Sequence, residues 1–164
     1  MATAGKNLSE YDKGKIPSGA DFKVGIVVSE WNDDITDNLL AGALEALREN
    51  GVKKKNIIVQ HVPGAFELPL ATQFMLEHDE DLDGIIAIGC VIQGETKHFD
   101  FVCSGATQGL MNIMLEYNTP VSFCLLTDNT KQQSIDRSGG VHGNKGIECA
   151  ISLLKMIAVQ EKLD

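Results

Sequence analysis

The sequence is poor in the features that most often announce a function. None of its 164 residues fall in an apolar run approaching the ~18 that a membrane span requires. The N-terminus, MATAGKNLSEYDKGKIPSG, has no apolar core of the kind a secretory signal carries, which points to a cytoplasmic protein. Cysteine is sparse: Cys90, Cys103, Cys124 and Cys149 stand far apart with no CxxC pair, so they read as buried free thiols rather than a zinc site or a disulfide framework. Basic residues are outnumbered, 14 Lys and Arg against 23 Asp and Glu, giving a formal charge of -9. With no basic cluster beyond Lys53, Lys54 and Lys55, a nucleic-acid partner is excluded, and an anionic substrate needs a local basic pocket. No GxGxxG or P-loop occurs, since Gly139-Gly140 matches neither, and no Ser-His-Asp arrangement stands out. His61, His78 and His142 read as solvent histidines, and no metal-ligand spacing is present.

What remains is an ordinary apolar content of 43% in a length that suits one domain. Residues 1–20 have weak periodicity and read as a tail, mobile or laid on a neighbouring subunit, ahead of a single domain over 21–164. The stretch DGIIAIGCVIQGETKHFD organises the rest. Residues 85–92 are an almost unbroken apolar, β-branched run that suits a strand buried on both faces. Directly after it come Gln93, Gly94, Glu95, Thr96, Lys97, His98 and Asp100, a concentration of proton donors and acceptors where a buried strand reaches solvent.

Three other segments read as strands: 22–29 (FKVGIVVS), 56–62 and 120–126 (PVSFCLL). Helices are expected over 36–50, 67–78, 99–117, 131–137 and 144–160. Asn32 or Asp34 is expected to cap the first helix and Gly51 to end it in a left-handed turn. Pro69 is tolerated in the first turn of the second, where its missing N–H is not needed. Asp79 to Asp83 read as a solvated acidic loop, and Ser138 to Gly143 as a glycine-rich loop. Strands alternating with helices call for an α/β, three-layer sandwich: a four-stranded parallel sheet flanked by helices, flavodoxin-like, with ligands beyond the carboxyl ends of its strands. The unusual turns at Trp31-Asn32, Gly64 to Glu67, Gln93 to His98 and Thr127 to Arg137 all follow strand ends.

Each candidate residue has a plain reading beside its functional one. Trp31, the only tryptophan, either covers the sheet edge or offers a platform for a flat heterocycle. Glu67 favours a helix N-terminus by charge alone. His98 is either a surface histidine or a proton shuttle beside Glu95 and Asp100. Arg137 and Lys145 bracket a glycine-rich loop whose N–H groups can help hold an anion.

The blocks WNDDIT, VPGAFELP, GCVIQGETKHFDFVC and DRSGGVHGNKG, in that order over residues 22–156, resemble those of the 6,7-dimethyl-8-ribityllumazine synthases of riboflavin biosynthesis. The resemblance implies condensation of 5-amino-6-(D-ribitylamino)uracil with 3,4-dihydroxy-2-butanone 4-phosphate, releasing phosphate and water, with neither metal nor organic cofactor. It implies Trp31 stacked on the pyrimidine, where the family usually has Phe, and Ala65, Phe66 and Glu67 around the heterocycle and ribityl chain. Cys90, Val91 and Ile92 would read the pyrimidine edge through their main chain. Glu95 and Thr96 match the phosphate-side turn, Arg137 the arginine that grips the phosphate, and His98 the proton carrier. Phe123 would come from an adjacent subunit, and Lys145 would add charge. The implied assembly is a homopentamer in which the N-terminal segment adds a strand to a neighbour's sheet. The short 137–145 loop resembles members that build twelve pentamers into an icosahedral shell, and association with riboflavin synthase is a further implied partnership. Gln93 stands where many relatives carry Arg. Two other classes stay open from the residues alone, a flavodoxin-like binding module and a catalytically silent shell protein.

Overall fold

The computed structural model describes residues 7–163. Its elements run β1 (Val24–Ser29), α1 (Asp33–Glu49), β2 (Ile57–Val62), α2 (Leu68–His78), β3 (Gly84–Ile92), α3 (His98–Glu116), β4 (Val121–Asp128), α4 (Lys131–Arg137), β5 (Ser138–Gly140), β6 (Gly143–Asn144) and α5 (Lys145–Leu163). The first four strands form one sheet in the order β2-β1-β3-β4, every pairing parallel. This is the expected three-layer α/β layout, with β3 inside and β4 at an edge.

Residue alternation sorts the core onto two faces. Ile26, Ile86 and Ile88 meet Leu39 and Leu47 of α1 and Leu153 and Leu154 of α5 on one side. Val27, Ile85, Ala87 and Leu125 meet Leu68 of α2 and Ala106 and Leu110 of α3 on the other. Each fully buried Ile or Leu contributes roughly 1.5–3 kcal/mol over an exposed one, and β3 buries both faces at once. That double burial is why its sequence shows no polar alternation.

Local expectations fail where side chains find longer-range partners. Asn32 does occupy the N-cap of α1, but in a left-handed conformation (φ 62°) and without a capping hydrogen bond. Asp34 lies inside the helix, where its carboxylate takes Lys131 at 2.7 Å. The acidic loop after α2 is not merely solvated. Lys23 Nζ reaches Asp79 at 2.7 Å, and the Lys23 N–H donates to Asp83 at 2.6 Å. The glycine-rich segment forms a small antiparallel hairpin, β5 with β6, rather than an open loop. Gly51 meets the expectation, ending α1 at φ 99°, where a side chain would be strained.

Part of the N-terminal segment is laid on its own chain. The Leu8 N–H donates to the His142 carbonyl (2.7 Å), the Asn144 N–H to Ser9 Oγ (2.9 Å), and the Tyr11 hydroxyl to Glu49 (3.0 Å). Residues 1–6 lie outside the described residues, and with them any strand they add to a neighbour's sheet.

Candidate active site

Parallel pairing brings the carboxyl ends of all four strands to one edge, and hydrogen bonds then knit their loops together. The Glu30 and Trp31 N–H groups donate to the carbonyls of Val62 (2.8 Å) and Pro63 (3.2 Å), joining the loops after β1 and β2. The Gln93 N–H donates to the Asp128 carbonyl (3.0 Å), joining β3 to β4. Between these pairs lies the point where the chain connections diverge, β1 leading toward β2 and β3 toward β4. Such a switch point leaves a crevice. Asn32 spans it: its Nδ2 donates to the Cys90 carbonyl at 3.0 Å. Pairing of β1 with β3 stops at Val28 and Ile88, so the amide supplies a donor beyond the end of the ladder.

This floor carries most of the residues singled out in the sequence. Trp31 leaves 73% of its surface exposed and Phe66 61%, although both are large apolar groups. Phe66 belongs to a short 3-10 turn, Ala65–Glu67, and its ring lies over Gly105 of α3; a Cβ there would stand 2.9 Å from Phe66 Cε2. Ala65 is buried beneath, and the Glu67 carboxylate folds back over Gly64. Val91 and Ile92 are half-buried at the end of β3. Glu95, Thr96 and His98 are exposed in the following turn, where the His98 N–H donates to Thr96 Oγ1 at 3.4 Å. That contact uses an oxygen lone pair and leaves the hydroxyl proton available to an anion.

Arg137 closes α4 and turns back along it, Nη1 donating to the Gln133 carbonyl at 2.8 Å. Asp128 Oδ1 lies 4.0 Å from its Nε. A capping box of Thr130 and Gln133 starts the helix, and the Lys131–Asp34 pair ties it across to α1.

Two residues stand differently. Phe123 pairs with Ala87, five positions before the Ile92–Asp128 pair that ends the ladder. At a rise of about 3.3 Å per residue that is roughly 16 Å from the strand ends, so Phe123 does not belong to the cluster of its own chain. Lys145 opens α5 after β6, whose Asn144 pairs with Ser138 beside Arg137, and its ammonium meets Glu148 at 2.8 Å. Burial works to lower the Lys145 pKa, but the Glu148 hydrogen bond and neighbouring charges leave it raised. It is an ammonium at neutral pH and not an amine that can attack a ketone.

Of the four free thiols, Cys90, Cys124 and Cys149 are buried as expected and Cys103 only partly so, and the one at the site, Cys90, is equally unsuited to nucleophilic work. Burial pushes the Cys90 pKa up, and its Sγ donates to Ser134 Oγ (3.4 Å), which donates to Asp128 Oδ2 (2.8 Å). Among the described residues, no group of three or more His, Cys, Asp and Glu is placed to hold a metal ion, and no helix is long and apolar enough to cross a membrane. The chemistry on offer is recognition: an aromatic platform, main-chain groups at a strand end, a cation and one exposed imidazole. Sequence reasoning missed Asn32 as a bridge and missed Asp128 and Ser134 altogether. No local signal marks them, because their partners are 58 and 44 positions away or across a helix turn.

A sheet of this order with convergent strand-end loops defines a small α/β protein of flavodoxin-like layout, its candidate site at the topological switch point. The chain belongs to the 6,7-dimethyl-8-ribityllumazine synthase family, which matches it over residues 21–161. It is 57% identical to a protein of Flavobacterium johnsoniae over 162 residues, covering 99% of this chain and 85% of that one. Identity is 55% over 161 residues to a protein of Christiangramia forsetii (98% and 96% covered) and 51% over 163 residues to one of Phocaeicola vulgatus (99% and 96%). All three relatives carry the name 6,7-dimethyl-8-ribityllumazine synthase.

Proposed function

We infer that this transferase condenses 5-amino-6-(D-ribitylamino)uracil with 3,4-dihydroxy-2-butanone 4-phosphate to 6,7-dimethyl-8-ribityllumazine, releasing phosphate and water, in riboflavin biosynthesis. The observation that carries this reading is the hydrogen-bonded floor of strand-end loops, which holds the WNDDIT, VPGAFELP and GCVIQGETKHFD blocks side by side with Arg137 at its rim.

Trp31 stacks on the pyrimidine and Phe66 flanks it, a use that accounts for two large aromatic groups left in water. Glu67 accepts from ribityl hydroxyls, and the main chain of Cys90, Val91 and Ile92 reads the pyrimidine edge. Thr96 and the N–H groups of its turn, beside Glu95, meet the phosphate together with Arg137. The exocyclic amine attacks the ketone, the carbinolamine loses water to give an imine, and phosphate is eliminated. The ribitylamino nitrogen then closes the ring with loss of a second water. His98 carries protons in these steps, while holding two substrates in register supplies much of the acceleration, on the order of 7 kcal/mol or more for well-oriented partners.

Phe123 serves a neighbouring subunit's site, and Lys145 adds charge to the substrate site. The position of Phe123 far from its own strand ends supports this, as do the exposed Leu70 and Phe74 of α2 and Phe101, Met111 and Leu115 of α3. The assembly is a homopentamer, with twelve pentamers in an icosahedral shell and riboflavin synthase as its associate, in the cytoplasm.

The test mixes the purified protein with both substrates and follows lumazine absorbance alongside released phosphate. Product formed well above the spontaneous rate is the expected result. No acceleration by folded protein refutes the reading and favours a binding or shell role.

A further inference from the structure

A largely buried chain of side-chain contacts runs beneath the site and ends on Arg137 at its rim. From β3, Cys90 Sγ donates to Ser134 Oγ of α4 (3.4 Å); Ser134 Oγ donates to Asp128 Oδ2 at the end of β4 (2.8 Å); and Asp128 Oδ1 faces Arg137 Nε (4.0 Å). The Asp128 side chain is only 12% exposed, against 36% for Arg137. Ser134 is fully buried. A carboxylate beside an anion-binding arginine is a liability by bare Coulomb energy, since it repels the anion. Its place in a built, hydrogen-bonded setting points to a compensating role.

The geometry supplies one. The guanidinium has five N–H groups; the Gln133 carbonyl takes one on Nη1 by a hydrogen bond (2.8 Å), while the Asp128 carboxylate faces Nε at 4.0 Å, beyond hydrogen-bond length, and acts on the plane as a nearby charge. Nη2 has no partner among the described residues and Nη1 keeps its second N–H, so the Nη1–Nη2 end still has donors for an anion. That end is the fork a phosphate accepts bidentately. We propose that Asp128, fixed by Ser134, is the positioning residue that sets the plane of Arg137 for the phosphate-bearing substrate. The proposal rests on the reading above that Arg137 meets the phosphate.

The Asp128→Asn variant is the informative probe. Its amide oxygen still accepts from Ser134, and its main chain still accepts from the Gln93 N–H, so the floor is retained while the charge facing Nε is removed. Affinity for inorganic phosphate, measured by titration on the assembled protein, is expected to fall about five-fold, an ordinary coupling for a contacting pair. KM for the phosphate-bearing substrate should rise in parallel and KM for the pyrimidine substrate should not. In the Arg137→Ala background the same change should have no further effect. Ser134→Ala, which frees Oδ2, should act in the same direction but less.

Tighter phosphate binding by Asp128→Asn would mean the carboxylate merely repels the anion, and overturns the proposal. So does an additive double-mutant cycle, or equal damage to both KM values together with a lowered Tm, the marks of a purely structural role. If Arg137→Ala weakens phosphate and Asp128→Asn does not, positioning alone fails. If Arg137→Ala leaves phosphate binding intact, the role given to Arg137 fails and this proposal with it.

Discussion

Replacing Asn32 by alanine removes two things at once, and the structure lets them be separated. The first is the hydrogen bond from Nδ2 to the Cys90 carbonyl at 3.0 Å, a partly buried bond with a net worth of about 1 kcal/mol. The second is tolerance of the left-handed backbone at φ 62°, ψ 49°, where alanine pays roughly 1 kcal/mol that asparagine largely escapes. Asn32→Ala is therefore expected to lose about 2 kcal/mol and Asn32→Gly, which keeps the backbone and loses only the bond, about 1 kcal/mol. With an unfolding entropy near 2.1 cal/mol/K per residue, a chain of this length shifts its Tm by about 3 °C per kcal/mol, so the variants should melt ~6 °C and ~3 °C below the parent. Calorimetry at one fixed protein concentration reads this, because Tm depends on concentration wherever chains associate. Both variants should also raise KM for the pyrimidine substrate, since Trp31 adjoins the bridge. A glycine variant no more stable than the alanine one would refute the backbone argument. An alanine variant melting within 1 °C of the parent would refute the bridge.

Four further substitutions have outcomes set by local packing and charge. Gly146→Ala places a Cβ against the Leu39 backbone carbonyl at the crossing of α1 and α5; backbone cannot yield cheaply, so the urea midpoint should fall by an amount equivalent to about 1–3 kcal/mol. Gly105→Ala meets only the Phe66 ring, which is exposed and can swing, so Tm should hold or rise slightly while pyrimidine-substrate affinity falls. The Lys23 hydrogen bond holds the Asp79 pKa below its usual 3.8. The stability this linkage supplies is present above the unfolded pKa and is lost as pH falls through the folded one, so Asp79→Asn should flatten the acid limb of a stability-pH profile and a limb of unchanged steepness would count against it. His98→Ala should slow turnover without abolishing it, whereas full retained rate across neutral pH would remove the imidazole from the mechanism.

The strands, the helices and the edge that bears the site were legible in the sequence because their causes are local. An apolar run such as 85–92 has few places to go except the middle of a covered sheet. Pro69 and Gly51 mark helix ends by backbone chemistry that needs no neighbour. The caps and loops were less legible, since Asn, Asp, Ser and Lys are versatile and take whichever partner the fold brings near. Asn32 has the right residue type for a cap and sits at the cap, yet its amide is drawn to a carbonyl 58 residues on. The acidic loop looked solvated until Lys23 arrived from 56 residues away.

By itself, then, the sequence determined the alternation of elements, the two-faced burial of β3 and the order of the functional blocks, all consequences of periodicity and backbone preference along the chain. Only the tertiary structure decided which blocks share a floor. Parallel register set Trp31, Phe66, His98 and Arg137 at one edge and left Phe123 five positions short of it. It also gave Asp128 its place between Ser134 and Arg137. Those relations depend on which strand lies beside which, and pairing between distant segments leaves no periodic trace in either of them.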